Sequence, residues 1–171
     1  MRLNGLLHTF PIEIKLLIGA FIIVLSIGFY MGLLFVGKTA SIEPNGIEEH
    51  YLGNEADEDV QVMKFKKSEQ EMLTLVHNHI LSMSIIFFLL GLILSTTQLQ
   101  LKLKLFLMIE PFVSVIFTFG GLYLLWSGLI WMKYIVMLSG ILMTVTFSVS
   151  VFIIIFQLFQ KKTIATEMHI Y

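Results

Sequence analysis

The segment Lys133–Phe159 reads KYIVMLSGILMTVTFSVSVFIIIFQLF, and it contains no charged side chain after its first residue. A helix needs about 20 consecutive apolar residues to cross the hydrocarbon core of a bilayer, because no water is present there to hydrogen-bond the backbone. Three earlier stretches also meet this criterion, at about residues 16–36, 73–95 and 103–126. We therefore predict an all-α, polytopic integral membrane protein whose four helices form a transmembrane bundle.

The composition argues against several classes of protein. Of the 171 residues, 57% are hydrophobic and only 13% are charged, whereas soluble domains carry about 25% charged residues. The net charge of −1 provides no basic surface for nucleic acid. The chain has no cysteine, which excludes disulfides, iron–sulfur clusters and covalently attached c-type haem. A soluble enzyme and a nucleic-acid-binding protein are therefore disfavoured.

The longest polar segment is the loop 37–70, which joins the first two spans. Seven of the twelve acidic residues lie within it, between positions 43 and 59. The sequence Pro44-Asn45-Gly46 predicts a turn, and residues 47–52 predict a short helix that Gly53 ends. About 35 residues are too few for a catalytic domain with its own core. We expect the loop to cap the helix ends within a single membrane domain that comprises residues 1–171.

The basic residues predict the orientation of the chain in the membrane. Six of them lie on the side of the two termini, and the last four of these flank spans directly: Arg2, Lys15, Lys102, Lys104, Lys161 and Lys162. Most basic residues of the other side belong to the long loop, which counts for less in the positive-inside rule. We therefore expect both termini in the cytoplasm and the loop 37–70 outside, in the inner membrane if the source is bacterial.

Two local patterns predict how the spans begin and pack. Ser68 and Glu71 have the Ser-x-x-Glu spacing of a capping box, so the second helix begins before its apolar stretch. Gly28 and Gly32 are four residues apart, a spacing at which transmembrane helices approach closely. We expect this glycine pair to pack within a compact bundle.

Two histidines in the second span are the first candidates for a functional site. His77 and His79 are two residues apart, so on a helix their side chains point about 200° apart and cannot face one site. We expect His77 to face the bundle, on the side that carries small residues, and His79 to face a second seam, a partner or the loop. Histidine binds haem b and transition metals, and His50 in the loop could complete such a site.

The simpler alternative is that both histidines are interfacial and bind water, lipid headgroups or loop carboxylates. A His-x-His spacing on a helix is a weaker metal signal than the spacing His-x₃-His. We therefore expect no bound cofactor. Ligation of haem b or a transition metal by His77, His79 and His50 is kept as a hypothesis.

Glu110 is the only acidic residue within the four predicted spans. Ionisable groups at the centre of a span cost roughly 2.5–3.5 kcal/mol on insertion scales, so those that occur there are commonly functional. Ser114, Thr118 and Gly121 follow at spacings of four, four and three, which predicts one polar face along the helix. Pro111 predicts a kink, because proline lacks the N–H that a helix requires.

Two interpretations of Glu110 follow. It is either a protonatable carboxylate in a polar seam open to the cytoplasmic side, or it extends to the inner interface near Lys102 or Lys104. We favour the second interpretation, in which the polar face serves packing alone.

The sequence contains no complete catalytic constellation, and it does not identify an enzyme. We favour a non-catalytic accessory or structural subunit of a larger membrane complex, whose partners are the lipid bilayer and other membrane subunits or further copies of the chain. One alternative is a haem- or metal-binding redox protein that uses the histidines of the outer side. The other is a proton-coupled transporter that uses Glu110.

Overall fold

The computed structural model describes residues 6–39, 44–55 and 62–160. Within these ranges the chain forms a 3-10 turn, six α-helices and one π-helical segment. In chain order they are the turn Leu7–Thr9, α1 (Ile12–Thr39), α2 (Pro44–Leu52), α3 (Glu69–Ser95), α4 (Leu101–Val115), the π segment (Ile116–Gly120), α5 (Gly121–Trp126) and α6 (Met132–Leu158).

Four helical units are long and apolar enough to cross a membrane: α1, α3, the continuous α4–π–α5 unit and α6. Each of these units contains a candidate membrane span of 26 or 27 residues. About 20 helical residues are already enough to match the hydrocarbon thickness of a bilayer. No β-strand occurs in the part of the chain that the structure describes. The predicted all-α membrane fold with four spans is confirmed.

The α4–π–α5 unit lies at the centre of the bundle, between α3 and α6. In the most apolar 18-residue stretch of this unit, 50% of the residues are buried, whereas only 11% are buried in the corresponding stretch of α1. Helix α1 packs mainly on α6, and among its described side chains only Ile22 and Phe29 are buried. It is therefore a peripheral helix, attached along one narrow stripe.

An aromatic cluster joins α1 to α3 and α6. The rings of Phe29 and Phe147 stack with their centroids 3.9 Å apart, and Phe87 meets both of them edge-on at 6.5 and 6.3 Å. Beside the cluster, the hydroxyls of Tyr30 and Ser148 form a hydrogen bond of 2.8 Å. Aromatic pairs in such geometries contribute about 0.5–1.5 kcal/mol beyond the area they bury. This cluster therefore attaches α1 to the rest of the bundle.

The α3–α4 turn and the N-terminal turn meet at one end of the bundle. Lys104 is buried there, and its Nζ donates to the carbonyl oxygens of Ser95 at 3.0 Å and Thr97 at 2.5 Å. Carbonyls at the end of a helix lack intrahelical partners, so this ammonium group ends α3 as a capping group would. Leu7 is buried beside it, and its N–H donates to the carbonyl of Thr96 at 3.1 Å.

At the opposite end, α2 and residues 62–68 form a cap over the bundle. Lys133, at the start of α6, holds α2 through hydrogen bonds from Nζ to Glu48 Oε2 at 2.7 Å and Asn45 Oδ1 at 3.1 Å. The indole N–H of Trp126 donates to the carbonyl of Lys67 at 2.7 Å. These contacts fix both ends of the described loop to the bundle, and loop residues 40–43 and 56–61 lie outside the described ranges.

The short helix predicted in the loop is observed as α2, and Gly53 follows it with φ +80°. A Cβ at Gly53 would lie 2.7 Å from the carbonyl oxygen of Lys64 and from the nitrogen of Lys66. Only glycine therefore fits this turn. Burial of Tyr51 against the bundle raises the pKa of its phenol above the ordinary value, because the phenolate would lose its hydration.

The capping box predicted for the second span is present. Ser68 Oγ accepts a hydrogen bond from the N–H of Glu71, and Glu71 Oε2 accepts one from the N–H of Ser68 at 2.8 Å. Helix α3 therefore begins at Glu69, several residues before the apolar stretch.

The expectation that Gly28 and Gly32 pack within the bundle is wrong. Both are exposed, and a Cβ added to either residue would meet no atom within 4 Å. Helix α1 instead directs Ile22 and Phe29 toward its neighbours. Two large side chains make more dispersion contact with α6 than a glycine surface can make.

Replacing Lys104 with methionine should destabilise the bundle. The change keeps an unbranched chain of similar length but removes the donor for two carbonyls at the end of α3, and hydrogen bonds to a charged group contribute about 1.5–3 kcal/mol. We expect the free energy of unfolding to fall by about 2 kcal/mol, measured by thermal unfolding of the detergent-solubilised protein. Lys102→Met, at an exposed position of the same turn, is the control, and equal destabilisation by both changes would contradict the capping role.

Candidate functional site

Glu110 is buried in α4, with 7% of its surface exposed. One turn later in the helix, Ser114 Oγ donates a hydrogen bond to Glu110 Oε1. The second oxygen, Oε2, has no hydrogen-bond partner among the described residues. The favoured prediction that this side chain extends to the interface near Lys102 or Lys104 is wrong, because the carboxyl group is buried inside the bundle and accepts a hydrogen bond from Ser114.

Hydroxyl groups line the interface between the α4–π–α5 unit and α6. Thr118 Oγ1 and Ser139 Oγ lie 2.8 Å apart, and Ser139 Oγ also donates to the carbonyl of Val136 at 3.1 Å. A serine hydroxyl has one proton, so Thr118 is the donor to Ser139. Thr146 and Ser150 are buried on the same face of α6, seven and eleven residues after Ser139. We name this row of side chains the α4–α6 seam.

Two contacts fix the register of the seam. Thr118 meets Ser139, and three residues later a Cβ on Gly121 would lie 2.9 Å from Val136 Cγ2. Advancing three residues along one helix matches going back three along the other, as expected for antiparallel helices of equal rise.

The same register places Glu110 level with residue 147, between Thr146 and Ser150. Ser150 is 1% exposed, and its Oγ also lacks a hydrogen-bond partner in the described part of the chain. The hydroxyl of Thr146 is satisfied, because it donates to the carbonyl of Leu142 at 2.9 Å. The seam therefore contains two unpartnered polar atoms on facing helices, about one helical turn apart.

The helix interruption expected at Pro111 occurs one turn later. The chain stays α-helical through Val115, and the wider turn is the π segment Ile116–Gly120. This segment buries Thr118 against α6 and Phe119 against α3. Single π turns inside α-helices often occur at functional sites, and here the turn adjoins the polar seam.

The expectation that His77 faces the bundle is wrong. Its side chain is exposed, because α3 packs through large apolar residues such as Phe87 and Leu90. Helical rotation places His77 roughly 110° from the midline of these two residues. The small residues that suggested the opposite orientation do not define the packing face.

His79 is half-buried against the π segment. Its ring stacks on Phe119 with a centroid distance of 4.6 Å, and its Nδ1 lies 2.8 Å from the carbonyl oxygen of Leu75. A carbonyl can only accept, so Nδ1 carries the proton and Nε2 is the remaining acceptor of the neutral ring. Beside it lies an open groove of about 440 Å³, lined by one face of α3: Ser68, Gln70, Glu71, Thr74, Leu75, Asn78 and His79.

His50 lies on α2, where its ring meets that of Tyr51 edge-on at 4.8 Å. Across the described ranges, no three histidine or acidic side chains form a group that could hold a metal ion. The structure therefore does not bring His50, His77 and His79 together as one ligand set. Haem or metal ligation by these histidines stays a prediction.

Sequence reasoning missed the roles of two buried side chains. Lys104 was expected to flank a span, and it instead ends α3. Ser150 lies on a hydroxyl-bearing face of α6, and its place across the seam from Glu110 depends on helix register. The spacing of hydroxyls along α6 signals that face, but spacing within one helix carries no information about the residue it meets.

A family model described as Aq_1264_TM, a transmembrane helical domain, matches residues 41–165. This match covers more than two thirds of the chain. The chain belongs to the Aq_1264_TM family. The family domain therefore includes α2 to α6, and α1 precedes it. No curated protein and no solved structure matches the chain.

Adjacent glycines of this family domain should respond differently to alanine. A Cβ at Gly121 would lie 2.9 Å from Val136 Cγ2, whereas a Cβ at Gly120 would meet nothing within 4 Å. Overpacking costs about 1–3 kcal/mol, so we expect Gly121→Ala to lower the free energy of unfolding by about 1–2 kcal/mol. Gly120→Ala should be neutral or slightly stabilising. Thermal unfolding in detergent measures both, and similar values for the two variants would contradict the close approach at Gly121.

Proposed function

We propose that the protein is a non-catalytic accessory subunit that joins a larger membrane complex through α1. The observation that carries the proposal is the attachment of α1 along one narrow stripe, while Gly28 and Gly32 lie exposed outside it. The occupant of this glycine surface is a transmembrane helix of another membrane protein.

A glycine inside a helix is destabilising, so its presence requires a structural or functional explanation. It lowers helix stability by about 0.8–1.0 kcal/mol relative to alanine. Neither Gly28 nor Gly32 has a neighbour within 4 Å of its Cβ position, so neither relieves crowding inside this bundle. In membranes, glycines four apart allow two helix backbones to approach closely, where dispersion contacts and weak hydrogen bonds drive association.

The extent of the family domain supports a separate task for α1. The matched region begins at residue 41, after the end of α1. The bundle of α3 to α6 also holds its own core, whereas α1 is mostly exposed. A helix added to such a domain is suited to recruitment of another subunit.

We infer that the cap end faces the outside and that both termini face the cytoplasm. Trp131 and Tyr134 are exposed at 59% and 57% near the α5–α6 turn, and aromatic residues of this kind anchor helices at a membrane interface. Lys102 lies exposed at the other end, which favours the cytoplasmic side for that end.

The proposal is tested by the size and composition of the protein's assembly after mild detergent extraction from its native membrane. We expect a discrete complex that contains other chains and exceeds the 19.6 kDa of this one. The double change Gly28→Ile and Gly32→Ile should release the protein as a monomer, because the added side chains prevent close approach of a helix.

Gly37→Ile is the matched control. Gly37 is an exposed glycine of α1 with nothing within 4 Å of its Cβ position, and helical rotation places it on the side opposite Gly28. This variant should keep the complex. Retention of the complex by the double variant contradicts the role of α1, and a complex made only of this chain contradicts the accessory role.

Two other functions stay hypotheses. Redox or metal chemistry would use Nε2 of His79, whose ring is oriented by the carbonyl of Leu75, an arrangement common among metal-ligating histidines. An absorption spectrum and metal analysis of membrane-extracted protein test it, with loss of the signal expected in His79→Ala. Proton-coupled transport would use Glu110, and a vesicle flux assay with Glu110→Gln tests that function.

A further inference from the structure

Two buried polar atoms lack hydrogen-bond partners within the described residues: Glu110 Oε2 and Ser150 Oγ. Both side chains are more than nine-tenths buried, and the register of the α4–α6 seam places them about one helical turn apart on facing helices. Buried polar atoms nearly always have partners, because leaving one unsatisfied is costly. Two such atoms at one interface indicate a site that a small hydrogen-bonding ligand completes.

We propose that Glu110 and Ser150 form an intramembrane proton-binding site. Glu110 holds the proton on its carboxyl group, and a water molecule connects that group to Ser150. Oε1 already accepts a hydrogen bond from Ser114, so Oε2 is the atom that carries the proton. On release, the proton passes from Oε2 to the bridging water and the carboxylate is left.

The chemistry of the seam favours a proton over a metal ion. A hard divalent cation such as Mg²⁺ requires about six oxygen ligands. Only two side-chain atoms buried in the described part of the seam lack partners, Glu110 Oε2 and Ser150 Oγ, which is far fewer than such a cation requires. A proton needs a single acceptor, which Glu110 supplies.

No charged side chain faces the site from the helices around it. The sequence has no ionisable residue between positions 80 and 101 on α3, between 135 and 160 on α6, or between 16 and 29 on α1. The basic residues of α4 lie toward the helix start, where Lys104 binds the carbonyls at the end of α3 and Lys102 is exposed. The proton therefore keeps the carboxyl group neutral, and hydroxyl groups stabilise it through hydrogen bonds instead of a cation through an ion pair.

The hydroxyl groups of the seam also set the direction in which a proton moves away from Glu110. From Glu110, the hydroxyls of Ser114, Thr118 and Ser139 continue toward the cap end, over about 12 Å of helix rise. Hydroxyls both donate and accept, so a row of them can carry a proton between water molecules. This inference goes beyond the accessory role, because it concerns a different face of the bundle from the glycine surface of α1.

Infrared spectroscopy of the full protein in lipid nanodiscs tests the site. We expect the C=O stretch of an un-ionised carboxyl group that fades and returns as the pH is raised and lowered. Glu110→Gln should abolish this band, and the control Glu69→Gln, at an exposed carboxyl, should retain it. Ser150→Ala should shift the band to higher frequency, because the bridging water loses the hydroxyl that holds it and its hydrogen bond to the carboxyl group weakens. The control Ser148→Ala alters a hydroxyl that binds Tyr30, and it should leave the band in place.

A second measurement uses the unaltered protein and does not depend on the folding of a variant. A membrane-soluble carbodiimide reacts with protonated carboxyl groups in apolar surroundings, so we expect one adduct, mapped by mass spectrometry to Glu110. A water-soluble carbodiimide should modify the loop acids and spare Glu110. Absence of the carboxyl band, a band that does not respond to pH, or labelling confined to loop acids would overturn the proposal. A band unchanged in Ser150→Ala would remove Ser150 from the site.

Discussion

The contact between Thr118 and Ser139 is the interaction on which the arrangement of the central helices depends. Inside a bilayer, lipid tails are as apolar as leucine, so helices associate through close packing and hydrogen bonds instead of through the hydrophobic effect. Here the hydrogen bond of 2.8 Å adjoins Gly121, whose lack of a side chain admits Val136. The hydrogen bond and the close approach of Gly121 to Val136 together fix the register of the α4–π–α5 unit against α6.

Once that register is fixed, the positions of the remaining polar groups follow. Glu110 lies two helical turns before Thr118, and Ser150 lies three turns after Ser139, so the two side chains lie on the same interface about one helical turn apart. Lys104 is on the same helix as Glu110, yet it binds the end of α3. The two buried ionisable groups of α4 therefore have different roles, one in ending a helix and one in the seam.

The sequence predicts the part of this structure that depends on local chemistry. Apolar length predicts the four spans, Ser68 and Glu71 predict the start of α3, and Gly53 predicts the end of α2. Prediction from the sequence fails where two faces of one helix compete to pack against the bundle. The small residues near His77 and the four-residue spacing of Gly28 and Gly32 both predict packing against the bundle, but large side chains determine the packing of α3 and α1.

The candidate site likewise combines features that the local sequence predicts with features that depend on long-range packing. The spacing from Glu110 to Gly121 predicts a polar face on one helix, and the structure contains it. The preference for an extended Glu110 was wrong because snorkelling requires a path to the interface, and this carboxyl group faces the interior of the bundle. Its position opposite Ser150 depends on long-range register, which a single sequence without aligned relatives does not specify.

Helix α6 is the element that relates the seam to α1. One of its faces carries Ser139, Thr146 and Ser150 against the central unit, and the adjacent face carries Phe147 and Ser148 against α1. Residues 146 and 147 are neighbours in the chain and lie about 100° apart around the helix. A partner that shifts α1 would therefore press on α6 beside Glu110, because packed helices transmit displacement through their contacts. The stack of Phe29 on Phe147 is therefore a contact that joins the helix with the exposed glycine surface to the helix that carries Ser150.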